Sequence, residues 1–495
     1  MFVQLGDLDK PTEDLTLTFS SVFRLSPEDD GALLLARLHD AAERVVRKWP
    51  MLAAIVQPKT GKTYAIDIPA DQATLERPLV GFTEAAQPST PYHIAAGLSA
   101  PLALLSSADP GFLPDPKMAF FRDPKAPKTL ADYAKRKGPL LHIHGTLFSD
   151  ALAVGIALPH GVFDGTACGM VLRAITSELK NEDWTPPPSH APNPLQERLD
   201  QLLADGQVAD AEPDAPSYVG WEHFSLGGIC RLLGTVFTEQ LWWKSERQFL
   251  FIPRATVDYL AKRTKGEVKE LTNGEEYVST NDALEAWFFK AAHSAESSSP
   301  ATVISSQAFS VRTTLDTYQP SPSLPSLSSY PHNAAIFYPS TFPPLRLSAL
   351  CSDSVGRLAL RFRRSLTAHR TLAAIRASVA ELRGYGQGIP TYNWPQVSSS
   401  GFGSGGAGYV HRWIFSSHLG LGLADLAIPG ADGQPLPKLA YHMTADMPIE
   451  FPHALGMQDM PEGVIISGAV RRSRWQCVER ALQELERERL AAQTA

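Results

Sequence analysis

Two segments of this 495-residue chain place an aspartate four positions after a histidine: His160-Gly161-Val162-Phe163-Asp164 and His442-Met443-Thr444-Ala445-Asp446. Imidazole, with an ordinary pKa of about 6.5, is mostly neutral near pH 7 and can take a proton from an attacking hydroxyl or amine. The spacing alone carries little weight. With 14 histidines and aspartate at about one residue in twenty, about one such match arises by chance. Context separates the two. His160 follows a small, apolar strand pattern and precedes a helical one, so its ring sits at a strand end, where clefts open. Gly165, directly after Asp164, leaves room for a sharp turn or a close approach. His442 lacks that frame, and Pro448 and Pro452 nearby suggest a surface loop.

The elements that must position His160 are legible from periodicity. Residues 139–159 read as two strands joined at Phe148–Ser149–Asp150, the second apolar on both faces like a buried central strand. Residues 166–180 read as a helix capped by Thr166, with Val171, Leu172, Ile175 and Leu179 inward. Residues 31–49 form an amphipathic helix stopped by Pro50. From 184 to 220 the periodicity fades into proline-rich runs around a short polar helix, the best linker in the chain. Beyond it come a helix over 225–243, a strand at 248–252, a helix from 254, and a capped helix over 279–293. Strands at 308–311 and 334–338, a long basic helix over 354–383, a strand at 409–415 and a closing helix over 474–490 complete the pattern.

Bulk properties narrow the class. The composition, 44% hydrophobic and 20% charged, is that of a globular protein, and the length suggests two domains. A net charge of −7 argues against nucleic acid as a partner. The first ten residues carry neither a basic nor an apolar signal region, and no apolar run is long enough to span a bilayer, so a cytoplasmic protein is expected. Cys168, Cys230, Cys351 and Cys477 lie far apart without a CxxC pair, as reduced thiols would. There is no HExxH zinc motif and no GxSxG elbow. Gly401-Phe402-Gly403-Ser404-Gly405-Gly406 satisfies GxGxxG but lacks the flanking strand and helix of a dinucleotide site, and reads as a loop.

Several further segments fall into a familiar order. The helix ending in Trp49-Pro50-Met51-Leu52-Ala53, the HxxxDG of residues 160–165, and Val278-Ser279-Thr280-Asn281-Asp282-Ala283-Leu284-Glu285-Ala286-Trp287 follow one another along the chain. Phe309-Ser310-Val311-Arg312, Tyr330-Pro331-His332-Asn333 and the strand-like 462–471 come next. Together these resemble the BAHD acyltransferases, part of a wider HxxxD group with carnitine acyltransferases and nonribosomal condensation domains. The resemblance spans most of the chain. One signature departs: of the family's DFGWG only Asp425 is kept, and Ser416-Ser417-His418 stands upstream, with His418 where the family commonly has tryptophan.

The resemblance implies an α/β fold of two chloramphenicol-acetyltransferase-like domains, each a mixed sheet with helices, meeting at a central tunnel. The N-terminal half would span 1–184, completed by a crossing segment at 409–430. After a linker at 185–220, the C-terminal half would comprise 221–408 and 431–495. It also implies a monomer in specialised metabolism, with no permanently bound cofactor and no metal. Acyl-CoA would be the co-substrate and a small molecule the acceptor of the acyl group. His160 would be the base. Asp164, Gly165, Arg312 and Asp425 would support it, with Asp164 turned away to pair with Arg312. Ser416, Ser417 or His418 would contact the oxyanion or substrate. Two alternatives stay open: a related enzyme using a carrier-protein thioester, and a relative repurposed for ligand binding or cyclisation.

Overall fold

The computed structural model describes residues 1–60, 63–70, 77–211, 234, 236–318, 324–340, 345–384, 410–445 and 452–494. The strand after the 140s turn sets the N-terminal half. β8 (Ala151–Pro159) is buried at every position, because its small apolar side chains pack on both faces. It lies between β2 (Thr16–Arg24) and β7 (His142–Phe148) in a five-stranded sheet of order β14-β2-β8-β7-β5, with β5 at Gly81–Gln87 and β14 at Lys438–Ala445. Helices Gly31–Lys48 and Gly165–Lys180 cover one face, where Leu38, Val45, Val171 and Ile175 meet Val154, Ile156 and Leu158. β1 (Phe2–Gln4), β3 (Ile55–Thr60) and β4 (Thr63–Asp67) form a small antiparallel sheet beside it.

The C-terminal half is an eight-stranded mixed sheet. Its main order is β11-β10-β13-β15-β16-β9-β6, and β12 (Leu345–Arg346) pairs with β10. The ranges are β6 Gly111–Leu113, β9 Ser245–Pro253, β10 Thr302–Ser310, β11 Ala335–Pro339, β13 Val410–His418, β15 Ala454–Met460 and β16 Gly463–Arg471. Helix Thr280–Ala292 packs Leu284, Phe288 and Phe289 against Trp413 and Phe415. Ser279 and Asp282 close its capping box reciprocally, as the sequence S-T-N-D predicts.

The halves exchange strands. β6, from the N-terminal part of the chain, pairs with β9, and β14, from near the C-terminus, pairs with β2. The crossing expected at 409–430 is found in part: Leu421, Leu423, Leu426 and Ile428 pack in the N-terminal core, but the segment adds no strand to that sheet. β13 stays inside the C-terminal sheet between β10 and β15, residues 419–437 run over the helix Gly165–Lys180, and β14 completes the N-terminal sheet. A short strand's own residues do not say which sheet it joins.

Four local expectations also change. Asp164, not Thr166, caps the helix Gly165–Lys180, accepting from Ala167 N–H at 3.0 Å. The 185–220 stretch is not a plain linker. Its helix Pro194–Ala204 buries Leu195, Leu199 and Leu202 against Phe309, Val311 and Leu315. The basic helix over 354–383 breaks into Val355–His369 and Leu372–Gly384. His442 is no surface residue: it lies in β14, 1% exposed. Of the helix expected at 225–243 only its end is described, with Trp242 exposed, and the GxGxxG segment lies outside the described residues. Cys168, Cys351 and Cys477 are free thiols. No described helix is long and apolar enough to cross a membrane.

Candidate active site

β8 ends at Pro159 and the next helix starts at Gly165, so residues 160–164 form a tight turn at the sheet's end. His160 is half-buried there. Its Nδ1 lies 2.9 Å from the Phe163 carbonyl, which fixes the proton on Nδ1 and leaves Nε2 as the lone-pair nitrogen. Burial lowers its pKa from 6.5, an effect partly offset by the Phe163 carbonyl and the charge of Asp164. The ring is therefore neutral, and basic at Nε2, across the physiological range.

The backbone of His160 is held from three directions. Its N–H donates to the Leu15 carbonyl (2.8 Å), and its carbonyl accepts from Thr12 Oγ1 (3.0 Å) and Asn333 Nδ2 (2.7 Å). Asn333 comes from the C-terminal half and is itself fixed: Nδ2 and N–H both donate to Asp9 Oδ1, at 2.9 and 3.2 Å. Gly6 N–H donates to Asp9 Oδ2 at 2.7 Å. Burial raises the Asp9 carboxyl to about 7 in spite of those donors.

Asp164 points away from the ring of His160. Its Oδ2 accepts from Arg312 Nη1 (2.7 Å) and Ala334 N–H (3.1 Å), and its Oδ1 from Arg312 Nη2 (3.1 Å) and Ala167 N–H. Both side chains are almost fully buried. Burial alone would raise the Asp164 carboxyl; the guanidinium and the two backbone donors hold it below the usual range. Arg312 spends its remaining donors on the carbonyls of Tyr330 and His332 and on Ser310 Oγ. One buried, bidentate pair with every lone pair matched thus joins the turn bearing His160 to the other half.

Across from His160, β13 alternates. Trp413 and Phe415 face the helical core, so Ser416 and His418 face the other way. Ser416 Oγ lies 3.1 Å from His418 Nε2. Burial, and next the charge of nearby His160, push His418 down to about 4, so it too is neutral. Gly165 explains their closeness: a Cβ there would come within 3.0 Å of the His418 ring and of Leu421. Ser417 belongs to the opposite face, its Oγ meeting only Leu419 N–H at 3.5 Å, and so is not gathered with the others. Asp425 holds its place by backbone rather than carboxylate. Its carbonyl accepts from Thr176 Oγ1 at 3.1 Å, while the side chain is exposed.

Three contributors escaped the sequence reading. Asp9 sits in an unremarkable N-terminal stretch. Asn333 lies in the Tyr330–Asn333 turn, but nothing local says that its amide reaches His160. Gln458 on β15 stands in register with His418, fully buried, and its Nε2 donor has no hydrogen-bond partner among the described residues. Only the pairing of distant strands reveals it.

No family model matches the chain. Its curated relatives include the acetyltransferase adrJ of Penicillium roqueforti, 27% identical over 371 residues, which are 73% of this chain and 71% of that protein. The transcriptional regulator calD of Penicillium decumbens is 27% identical over 57% of this chain and 55% of its own length. The O-acyltransferase pboC of Aspergillus ustus is 29% identical over 51% and 50%. The matches to the last two therefore span about half of each protein. Among solved structures, Fusarium sporotrichioides TRI101 with coenzyme A and T-2 superposes with a TM-score of 0.59 at 15% identity, over 97% of both chains. Vinorine synthase gives 0.56 at 14%, over 97% and 93%. The fold is the two-domain chloramphenicol-acetyltransferase-like one. Fold and sequence relatives together define the class, an acyltransferase.

Proposed function

We propose that the protein moves an acyl group from a CoA thioester to a hydroxyl of a small molecule, in fungal-type specialised metabolism, with His160 as general base. The observation that carries this reading is the fixed tautomer of His160: Nδ1 is bonded to Phe163, and Nε2 is left to accept a proton. The acceptor O–H gives its proton to Nε2 as its oxygen attacks the thioester carbon. The tetrahedral intermediate collapses, the C–S bond breaks, and His160 returns the proton to the departing thiolate. Ser416 Oγ and the amide of Gln458 are the donors for the transient oxyanion. Asp164, Arg312 and Asn333 act on the base indirectly, by holding the turn that presents it. Among the structural neighbours, TRI101 is solved with coenzyme A and T-2 mycotoxin, which supports a CoA-linked donor and a bulky small-molecule acceptor here. Acetyl-CoA with a panel of small alcohols, read by free-thiol release and by mass spectrometry of the ester, tests the proposal. Acylation by wild type that disappears in His160→Ala supports it. Turnover surviving in that variant, or no acylation of any alcohol, overturns it.

A further inference from the structure

Two carboxylates grip the C-terminal half at adjacent residues. Asn333 N–H donates to Asp9 Oδ1 at 3.2 Å, and the next N–H along, that of Ala334, donates to Asp164 Oδ2 at 3.1 Å. The turn bearing His160 is thus held to the 330–334 loop from two sides, by Asp164 in the turn itself and by Asp9 in the N-terminal segment Asp7–Thr12. The two are built differently. Asp164 is neutralised by Arg312. Asp9, 2% exposed, has no ion-pair partner among the described residues, and the charge that acts on it is Asp164's, of its own sign. A buried carboxyl without a counter-charge is costly to keep, so its place in the core points to a task other than stability.

That task lies in the amide of Asn333, which is buried beside it. Nδ2 carries two hydrogens: one reaches Asp9 Oδ1 at 2.9 Å, the other the His160 carbonyl at 2.7 Å. Rotated by half a turn, the same amide would set its oxygen against the Asp9 carboxylate and the His160 carbonyl, both acceptors. Asp9 therefore leaves the amide a single orientation, the one that donates to His160. The same segment adds further holds. Thr12 Oγ1 donates to the His160 carbonyl at 3.0 Å, and Gly161 lies so close that a Cβ there would come within 2.7 Å of Glu13 Cα. Asp7 anchors the segment in turn, accepting from Arg383 Nε at 2.6 Å and Gln196 Nε2 at 3.0 Å.

We propose that Asp9 is a positioning residue for His160: by holding the Asn333 amide in one orientation, it fixes the His160 carbonyl and with it the direction of the ring. Its effect on rate rests on the acyl-transfer reading; its effect on the ring does not. Whether or not the carboxyl carries a proton, Oδ1 still accepts, so the hold survives in both states. An asparagine at this position keeps that acceptor and loses only the one that serves Gly6 N–H.

Proton–nitrogen correlation spectra of the full chain, labelled with nitrogen-15 on the histidine rings, test the proposal without any substrate. The His160 signals are assigned by their loss in His160→Ala. In Asp9→Ala they should shift or broaden while those of His442 stay in place. Asn333→Ala should reproduce that spectrum, and Asp9→Asn should return the signals toward wild type. This result decides the proposal even if no alcohol is acylated. Where acylation is measured, Asp9→Ala should lower kcat about tenfold with the KM for acetyl-CoA unchanged, and Asp9→Asn should recover most of that loss. Asp9→Ala combined with Asn333→Ala should lose no more than Asn333→Ala alone, because one acts through the other. The proposal is overturned if the His160 signals of Asp9→Ala coincide with wild type, if Asp9→Asn is as impaired as Asp9→Ala, or if the two losses add. Should Asp9→Ala fail to fold, Asp9→Asn and Asn333→Ala carry the same comparison, and equal damage in those two overturns it.

Discussion

The two histidines that open an HxxxD pattern end in opposite surroundings. His160 stands just past the end of β8, half-buried, with one ring nitrogen committed to a backbone carbonyl and its own carbonyl held by the side chains of Thr12 and Asn333, one from each half. His442 lies within β14, 1% exposed, its Nε2 3.0 Å from the Pro114 carbonyl and its ring edge-on to Phe249 at 4.6 Å. Burial drives His442 down to about 4 and lowers His160 as well. Neutrality is therefore common to both; access is not. A base needs a strand end rather than a strand, and an aspartate four residues on serves to cap the next helix and tie the turn rather than to touch the ring.

Mutating the two should give the widest separation. His160→Ala is expected to lower kcat by about 10²–10⁴-fold with the melting temperature nearly unchanged, the usual worth of a general base. Equal activity of His160→Ala and His442→Ala would erase the distinction. Next come Asp164→Ala and Arg312→Ala, each expected to cost roughly 3–5 kcal/mol of stability, because the survivor is a buried, unpaired charge. The double variant should lose less than the sum, which denaturant titration measures; additive losses would mean that the pair does not act as one unit. Asn333→Ala should lower kcat about tenfold while leaving the KM for acetyl-CoA in place, since it loosens the turn without touching the donor. A change confined to KM would assign Asn333 to substrate binding instead.

The pH profile follows from the same difference. As the proposed base His160 is active with a neutral ring, and burial lowers its pKa below 6.5, so kcat/KM should be flat above pH 6.5 and fall as pH drops through the lowered value. Because the unfolded ring protonates more readily, stability is full above pH 6.5 and also declines below it. An acid limb centred above 6.5 contradicts the buried setting. The smallest effect is expected for His442→Ala: activity within about twofold of wild type, and a loss of roughly 1–3 kcal/mol from the emptied space beside Phe249.

Much of this was legible beforehand. The strand–turn–helix around His160 and the capped helix at 280 rest on local patterns, the Asp164–Arg312 pairing was implied by family resemblance, and the structure contains each of them. What escaped was non-local. The residues of β14 read as a surface loop beside Pro448 and Pro452, and only their register with β2 reveals the strand and the sheet it serves. The helix Pro194–Ala204 looks polar because its neighbours Glu197, Arg198, Asp200 and Gln201 mask a stripe of three leucines. Asp9 matters through Asn333, which lies in the other half of the chain, and Gln458 through His418 on the neighbouring strand β13.

The strand exchange has a consequence for biosynthesis. β2 and β8 leave the ribosome early, but β14, which covers the outer edge of β2, follows about 280 residues after β8. At ~5–20 residues per second, that edge waits roughly 15–60 s with its N–H and C=O groups open to any passing strand. A messenger cut anywhere before the codon for Lys438 therefore yields a fragment whose β2 edge stays uncovered rather than a spare domain.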